Sequence, residues 1–335
     1  MSPSVQAAPA PLPPAQESDD FATAVLAGLA SEQKSIPCKY LYDKRGARLF
    51  TMICRLPEYY PTRTEFAMLR RYGRDIANRL PARSVLVEFG SGTSRKVDLI
   101  LGQMAEPAAY VPLDVSAPCL AAAVQRLAGQ FPALRIAPAV ADFSQPFQLP
   151  PGLPSGPRVG FFPGSTIGNF DPPAAVRLLA RFGAVLGPRC RLIVGVDLRK
   201  DTHVLHTAYN DGAGITAAFN LNLLLRANRE LGANFDLDGF FHRADVNRRL
   251  GRVEMHLVSR RRQSVVIAGH RFEFAPGETI HTENSYKYSL AGFRRLAEAA
   301  GFAVKASWTD DRQLFSLHLL FAGERPAGID LLPSE

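Results

Sequence analysis

A short apolar run, Val85-Leu86-Val87, passes through Glu88-Phe89 into Gly90-Ser91-Gly92 and limits what this chain can become more than any other stretch. Two glycines after a strand allow a tight turn and a close backbone approach to a ligand. A helix starting near Thr93–Arg95 would aim its N-terminal amides at that turn. Around it, strand and helix signals alternate. Strands are predicted at Ser84–Phe89, Tyr110–Leu113, Leu134–Val140, Val159–Phe162 and Arg191–Val196, with helices over about 95–105, 117–130 and 172–186. Upstream, Thr64 is placed to cap a helix over Glu65–Arg79. Such a rhythm means an α/β fold with parallel strands and right-handed crossovers. Near the end, Ser289 caps a helix through Ala300 that stops at Gly301. Strands at Phe302–Trp308 and Leu314–Phe321 follow, joined by the polar turn Thr309-Asp310-Asp311, so the last strand is antiparallel in a mostly parallel sheet.

The remaining segments do not fit that rhythm. Residues 1–20 are rich in Pro and Ala, end in acids, and read as a disordered tail with neither the basic nor the apolar region of a signal peptide. Residues 21–30 read as an amphipathic helix, and the Tyr-, Arg- and Pro-dense stretch to 61 as a lobe that shapes a pocket rather than a regular layer. From 200 to 288 a mostly helical stretch precedes strand alternation at Arg252–Ser259 and Ser264–Ala268. The expected organisation is a sheet domain of residues 62–199 and 289–322, with a second α+β lobe of 21–61 and 200–288 that binds substrate. No stretch approaches the roughly 20 apolar residues of a membrane span. Cys38, Cys54, Cys119 and Cys190 form no CxxC pair, which argues against a metal site or disulfide framework and fits a reducing cytoplasm. A net charge of +8 permits nucleic-acid binding, but the 39 basic residues are dispersed. The densest run, Arg260-Arg261-Arg262, lacks interleaved aromatics, so the charge reads as solvated surface and no nucleic-acid or membrane partner is expected.

The cofactor expected at the glycine turn is a nucleoside without a pyrophosphate. Arg95 stands where a dinucleotide fingerprint has its third glycine, which counts against NAD or FAD. Asp114 ends the second strand about 20 residues on, where an acid can accept both ribose hydroxyls. Asp142 ends the third and can accept from an adenine amine, with Phe143 flanking the base. Either acid alone reads equally as a helix cap; the ordered set at strand ends favours the ligand, because open α/β sheets bind there. After the fourth strand, Phe161–Phe170 carries Gly164, Gly168 and Asn169, either a binding loop bordering the acceptor or a simple turn with an Asn cap.

The strings YLYDKRG, LPEYYPTRTE, FGSGTSRK, FPGSTIGN, DLRKD, AYNDGAGITAAFN, NRELGANFDLD and TENSYKY, in order over residues 30–320, closely resemble the L-histidine N-alpha-methyltransferases of ergothioneine biosynthesis. The resemblance implies a class I S-adenosylmethionine (SAM)-dependent methyltransferase domain, Rossmann-like, with a separate substrate lobe, that trimethylates the α-amine of histidine to hercynine. It places the cofactor on Gly90, Gly92, Lys96, Asp114, Asp142 and Phe143. It places histidine on Tyr59, Asn169, Tyr209, Glu283 and Ser285, with Met255 lining the pocket and Tyr42 beside the reacting amine. Tyr59, Tyr209 and Asn169 can donate to a carboxylate without a buried cation, Glu283 can accept from an imidazole N–H, and Ser285 can serve either ring nitrogen. Without the resemblance, Tyr42 and Tyr59 read as packing aromatics and Glu283 as a solvated strand charge. No histidine or carboxylate is poised as a general base, so Tyr42 is expected to steer an amine deprotonated before or during binding. A monomer is expected. Competing readings are methylation of another amino acid or small amine, a SAM-binding protein without turnover, and an RNA methyltransferase.

Overall fold

The computed structural model describes residues 14–92 and 95–323. Three helices come first: α1 (Pro14–Ala30), α2 (Lys44–Ile53) and α3 (Tyr60–Asn78). The alternating run follows as β1 (Val85–Phe89), α4 (Asp98–Leu101), β2 (Ala109–Asp114), α5 (Ala117–Gln130), β3 (Ala139–Val140), β4 (Arg158–Phe162), α6 (Pro172–Leu186) and β5 (Arg191–Asp197). Next come α7 (Thr202–Tyr209), α8 (Ile215–Leu231), β6 (Phe240–Asn247), β7 (Arg252–Ser259), β8 (Gln263–Ile267), β9 (His270–Phe274) and β10 (Thr279–Tyr286). The described chain closes with α9 (Leu290–Ala299), β11 (Phe302–Thr309) and β12 (Phe315–Ala322).

Seven strands form one sheet in the order β11-β12-β5-β4-β1-β2-β3. Only β12 runs against its neighbours, as the sequence predicts. Every residue of β1 is buried because helices cover both faces. One face presents Val85, Val87 and Phe89 to Leu178, Leu179 and Phe182 of α6 and Phe293 of α9. The other presents Leu86, Tyr110 and Phe161 to Met68, Leu69 and Ile76 of α3. Each such side chain contributes about 1.5–3 kcal/mol by leaving water, which fixes the strand ends where ligands meet this class of sheet.

The remaining elements enclose a third core. The antiparallel sheet β10-β7-β6 and the β8–β9 hairpin pack with α1, α2, α7 and α8 around Phe21, Leu41, Phe219, Leu224, Phe240 and Leu257.

Several expectations need correction. The first helix begins at Pro14, so residues 14–20, read as tail, are helical; a proline suits a helix start. Residues 1–13 of that tail lie outside the described residues, as do Thr93 and Ser94 of the expected helix start. Helical backbone covers only Asp98–Leu101, one turn rather than 95–105. Thr64 is not a cap: α3 begins four residues earlier, with Pro61 preset for its first turn. Pro138 confines β3 to Ala139–Val140, since an imide nitrogen cannot join the ladder. Residues 31–61 are more regular than expected, holding a 3-10 turn (Cys38–Tyr42) and α2. Strands β6, β9 and β10 were not foreseen.

Candidate functional site

The glycine turn, Asp114 and Phe143 meet at the carboxyl ends of β1, β2 and β3. Gly90 and Gly92 have φ of 75° and 49°, the region glycine favours. A Cβ at Gly90 would stand 3.3 Å from the Phe143 ring, so a side chain there would press on that ring. The Gly92 amide donates to Asp114 Oδ2 at 2.7 Å, and the Ser116 amide to Oδ1 at 2.9 Å. Asp114 thus orders the turn as well as facing it, and its burial raises its pKa. Asp142 accepts from the Ser144 amide at 2.9 Å and from Lys39 Nζ at 3.2 Å. Lys39 lies on the 3-10 turn that also carries Tyr42, so Asp142 is tied to the segment before α2. Beneath the turn, Glu88 accepts from Tyr110 in the core, and burial pushes its pKa up to about 8.

Lys96 lies deeper than its place in the turn suggests. Its Nζ pairs with Glu65 Oε2 of α3 at 2.5 Å, with both side chains buried. The Gly164 amide donates to the same carboxylate at 3.0 and 2.9 Å. Glu65, which sequence reasoning missed, therefore joins α3, the cofactor turn and the loop after β4. The loop is pinned again at Ser165, whose φ of 56° is left-handed and whose Oγ accepts from the Asp197 amide at 2.8 Å. A Cβ on Gly168 would sit 2.7 Å from the Tyr286 carbonyl, so only glycine lets this loop lie against β10.

That close approach builds the second half of the site. A cavity between the ends of the two sheets is lined by Tyr59, Asn169, Tyr209, Glu283 and Ser285, together with Gly164, Asp197 and Lys287. All five lining residues named for histidine by resemblance thus share one cavity. Met255 does not line it; it is the cross-strand neighbour of Glu283 on β7 and is buried behind. Tyr42 does not line it either. Its ring packs edge-on against Phe50 and Phe219, 5.4 and 5.5 Å between centroids. Burial, with Glu283 the next contributor, raises the Tyr42 pKa well above its ordinary value, so its phenol is neutral and is no base.

The reading of Glu283 made without the resemblance fails here. Glu283 is not a solvated strand charge but is 9 % exposed. Burial, tempered by Lys287, pushes its pKa up to about 7. No hydrogen bond from another described residue ends on its carboxylate. The cavity also holds a buried cation. Lys287 Nζ pairs with Asp197 Oδ2 at 2.7 Å and donates to Tyr209 Oη at 2.9 Å and to Ser285 Oγ at 2.8 Å. Burial opposes its charge, but Asp197 and Tyr209 outweigh that and hold its pKa above the ordinary value. Lys200 also pairs with Asp197, and Tyr60 donates to it at 2.8 Å. Lys287 is the penultimate residue of TENSYKY and Asp197 the first of DLRKD, so both lay inside recognised strings without an assigned role. Four histidines gave no catalytic pairing in the sequence. His203 and His206 are exposed, His242 bonds the Tyr209 carbonyl and Asn220, and His281 bonds Asn284.

Among the described residues no cluster of His, Cys, Asp and Glu is arranged for a metal ion, and no helix is long and apolar enough to cross a membrane.

Comparison with known proteins places the sequence in a family. The chain is 41% identical over 300 residues to the histidine N-alpha-methyltransferase of Mycolicibacterium smegmatis, covering 88% of this chain and 92% of that protein. It is 38% identical to the enzyme of that name from Mycobacterium tuberculosis, with the same coverage. It is 30% identical to ergothioneine biosynthesis protein 1 of Neurospora crassa, spanning 90% of this chain and 34% of that longer protein. The model of the SAM-dependent, histidine-specific methyltransferases matches residues 21–322, and the chain belongs to that family.

Proposed function

We propose that this protein methylates the α-amino nitrogen of L-histidine three times, using SAM, to give the trimethylated betaine. The observation that carries the reading is Glu283: a buried carboxylate, without a donor from another described residue, in one cavity with the donors Tyr59, Asn169 and Tyr209. An imidazole N–H satisfies Glu283 and an α-carboxylate satisfies the donors, and such a site rejects apolar side chains that leave its own polar groups unpaired. Met255 closes the imidazole end from behind.

The residues at the first strand ends suit SAM: a turn of two left-handed glycines, an acid at Asp114 for the ribose, and Phe143 with Asp142 for the adenine. Gly90, Gly92, Lys96, Asp114, Asp142 and Phe143 would hold it, and when bound it supplies an electrophilic methyl group. The protein's part is alignment and exclusion of water. Glu65 holds the Gly164 loop and Lys96 together at the junction of the two halves, so donor and acceptor share one rigid wall. Tyr59 and Tyr209 are held neutral by burial and are no bases. The amine therefore sheds its proton to solvent before or during binding, and Tyr42, whose phenol lies near enough to Glu283 for that acid to raise its pKa, steers it. Tyr42→Phe is expected to slow kcat about tenfold for each methylation with little change in cofactor affinity; unchanged rates for all three steps remove Tyr42 from the mechanism.

The test of the substrate is a panel assay with SAM, comparing L-histidine, histamine, L-tryptophan and L-phenylalanine by mass spectrometry. Histidine should be methylated at least ~100-fold faster than the aromatic amino acids by kcat/KM. Preference for another amine would replace the reading, and SAM binding without turnover would reduce the chain to a binding protein. The same reading treats residues 62–199 and 289–322 as the methyltransferase domain, 21–61 and 200–288 as the substrate lobe, and the protein as a cytoplasmic monomer acting on a small molecule.

A further inference from the structure

Lys287 is buried to 3 % exposure, and its three ammonium protons have three acceptors: Asp197 Oδ2, Tyr209 Oη and Ser285 Oγ. The consequence falls on the two hydroxyls. Tyr209 Oη, receiving from Lys287, turns its own proton away, toward Ser285 Oγ at 2.8 Å or a ligand. Ser285 Oγ accepts from both Lys287 and Tyr209 and, among the described residues, donates to none, so its proton is left for the cavity. Asp197 does not cancel this bias. Two ammonium groups, Lys287 and Lys200, flank that single carboxylate.

We infer that Lys287 is a positioning residue for recognition of the substrate's α-carboxylate: by donating to both oxygens it leaves the Tyr209 proton free to turn from Ser285 to the carboxylate, and it places a cation one hydrogen bond behind that carboxylate. The inference rests on the amino-acid substrate proposed above. It also narrows Ser285, which serves only a ring nitrogen that accepts, so the imidazole binds as the single tautomer with its N–H toward Glu283.

The experiment compares L-histidine with L-histidinamide, which keeps the ring and amine and loses the carboxylate charge, by calorimetric titration in the presence of S-adenosylhomocysteine. Wild-type protein is expected to favour histidine by roughly 30- to 100-fold, the effect of one charge about 6 Å away in a partly screened site. Lys287→Met should bring that ratio within about threefold of one, by weakening histidine while sparing histidinamide. Lys287→Met leaves Asp197 paired with Lys200, and Lys287→Gln, which removes the charge while keeping a donor for Asp197, serves as the second variant. It should show the same collapsed ratio. A folded variant that keeps the wild-type ratio, or loses both ligands equally, overturns the inference. If neither variant folds, a wild-type ratio near one overturns it and a ratio above about tenfold upholds it. Wild-type protein that binds neither ligand fails the substrate reading instead, a separate outcome.

Discussion

Glu283→Gln is expected to weaken histidine binding about 100-fold while leaving the affinity for S-adenosylhomocysteine within about twofold. The carboxylate is buried and bonded to no other described side chain, so a ligand N–H gains a charge-assisted bond that water does not contest. Replacing it by an amide exchanges an acceptor for a group that also presents donors to the ring N–H, and loses about 2.5–3 kcal/mol. Calorimetric titration with each ligand separates this from misfolding, which would weaken both. The variant should also change the pH dependence of stability. The folded pKa of Glu283 is raised from 4.5 to about 7. Below 4.5 the acid is protonated in both states and contributes nothing. Between 4.5 and 7 the unfolded chain releases its proton first, so stability falls as pH rises, by about 3 kcal/mol in full above 7. Glu283→Gln should therefore melt higher than wild type at pH 8, and the difference should vanish below about pH 4. Equal melting temperatures at pH 8 would mean that Glu283 is not held in a desolvated place.

The second large effect is on the other side of the Gly164 loop. Glu65→Ala removes the carboxylate that the Gly164 amide and Lys96 share inside the protein. Loss of one member of a buried pair costs about 3–5 kcal/mol, which for a chain of this size lowers the melting temperature by roughly 10 °C. Because Lys96 and the loop both border the cofactor face, affinity for S-adenosylhomocysteine should fall at least about tenfold in the folded fraction. Gly195→Ala provides an independent check, since its Cβ would stand 2.1 Å from Glu65 Oε1. It should reproduce the cofactor defect while retaining the carboxylate. If Glu65→Ala melts like wild type, the pair is not a structural joint.

The two halves of the protein differ in how far their sequences declare them. The sheet strands β1, β2, β4 and β5 are continuous apolar runs, because both faces are covered, and hydropathy alone finds them. The substrate side is harder to read for a reason tied to its work. The strand β10, Thr279-Ile280-His281-Thr282-Glu283-Asn284-Ser285-Tyr286, buries Thr282, Glu283 and Ser285. A strand whose inward face lines a polar cavity looks solvent-exposed by composition, and so Glu283 looked like a surface charge. Tyr59, Asn169, Tyr209 and Ser285 were named through resemblance, and no periodicity joins positions up to 226 residues apart in number. What brings them together is a backbone contact, Gly168 against Tyr286, which no side-chain pattern announces. Glu65, Asp197 and Lys287 were missed for the same reason: each reads as an ordinary charge until its partner on another element is known.

The most direct measurement locates the methyl groups. Purified protein, SAM bearing a 13C-labelled methyl group and L-histidine are incubated, and the product is fragmented by mass spectrometry. The expected result is a series of mono-, di- and trimethylated histidine with every label on the α-nitrogen. Label on an imidazole nitrogen would contradict the orientation set by Glu283 and the donors Tyr59, Asn169 and Tyr209, and an absence of any labelled histidine would contradict the substrate itself.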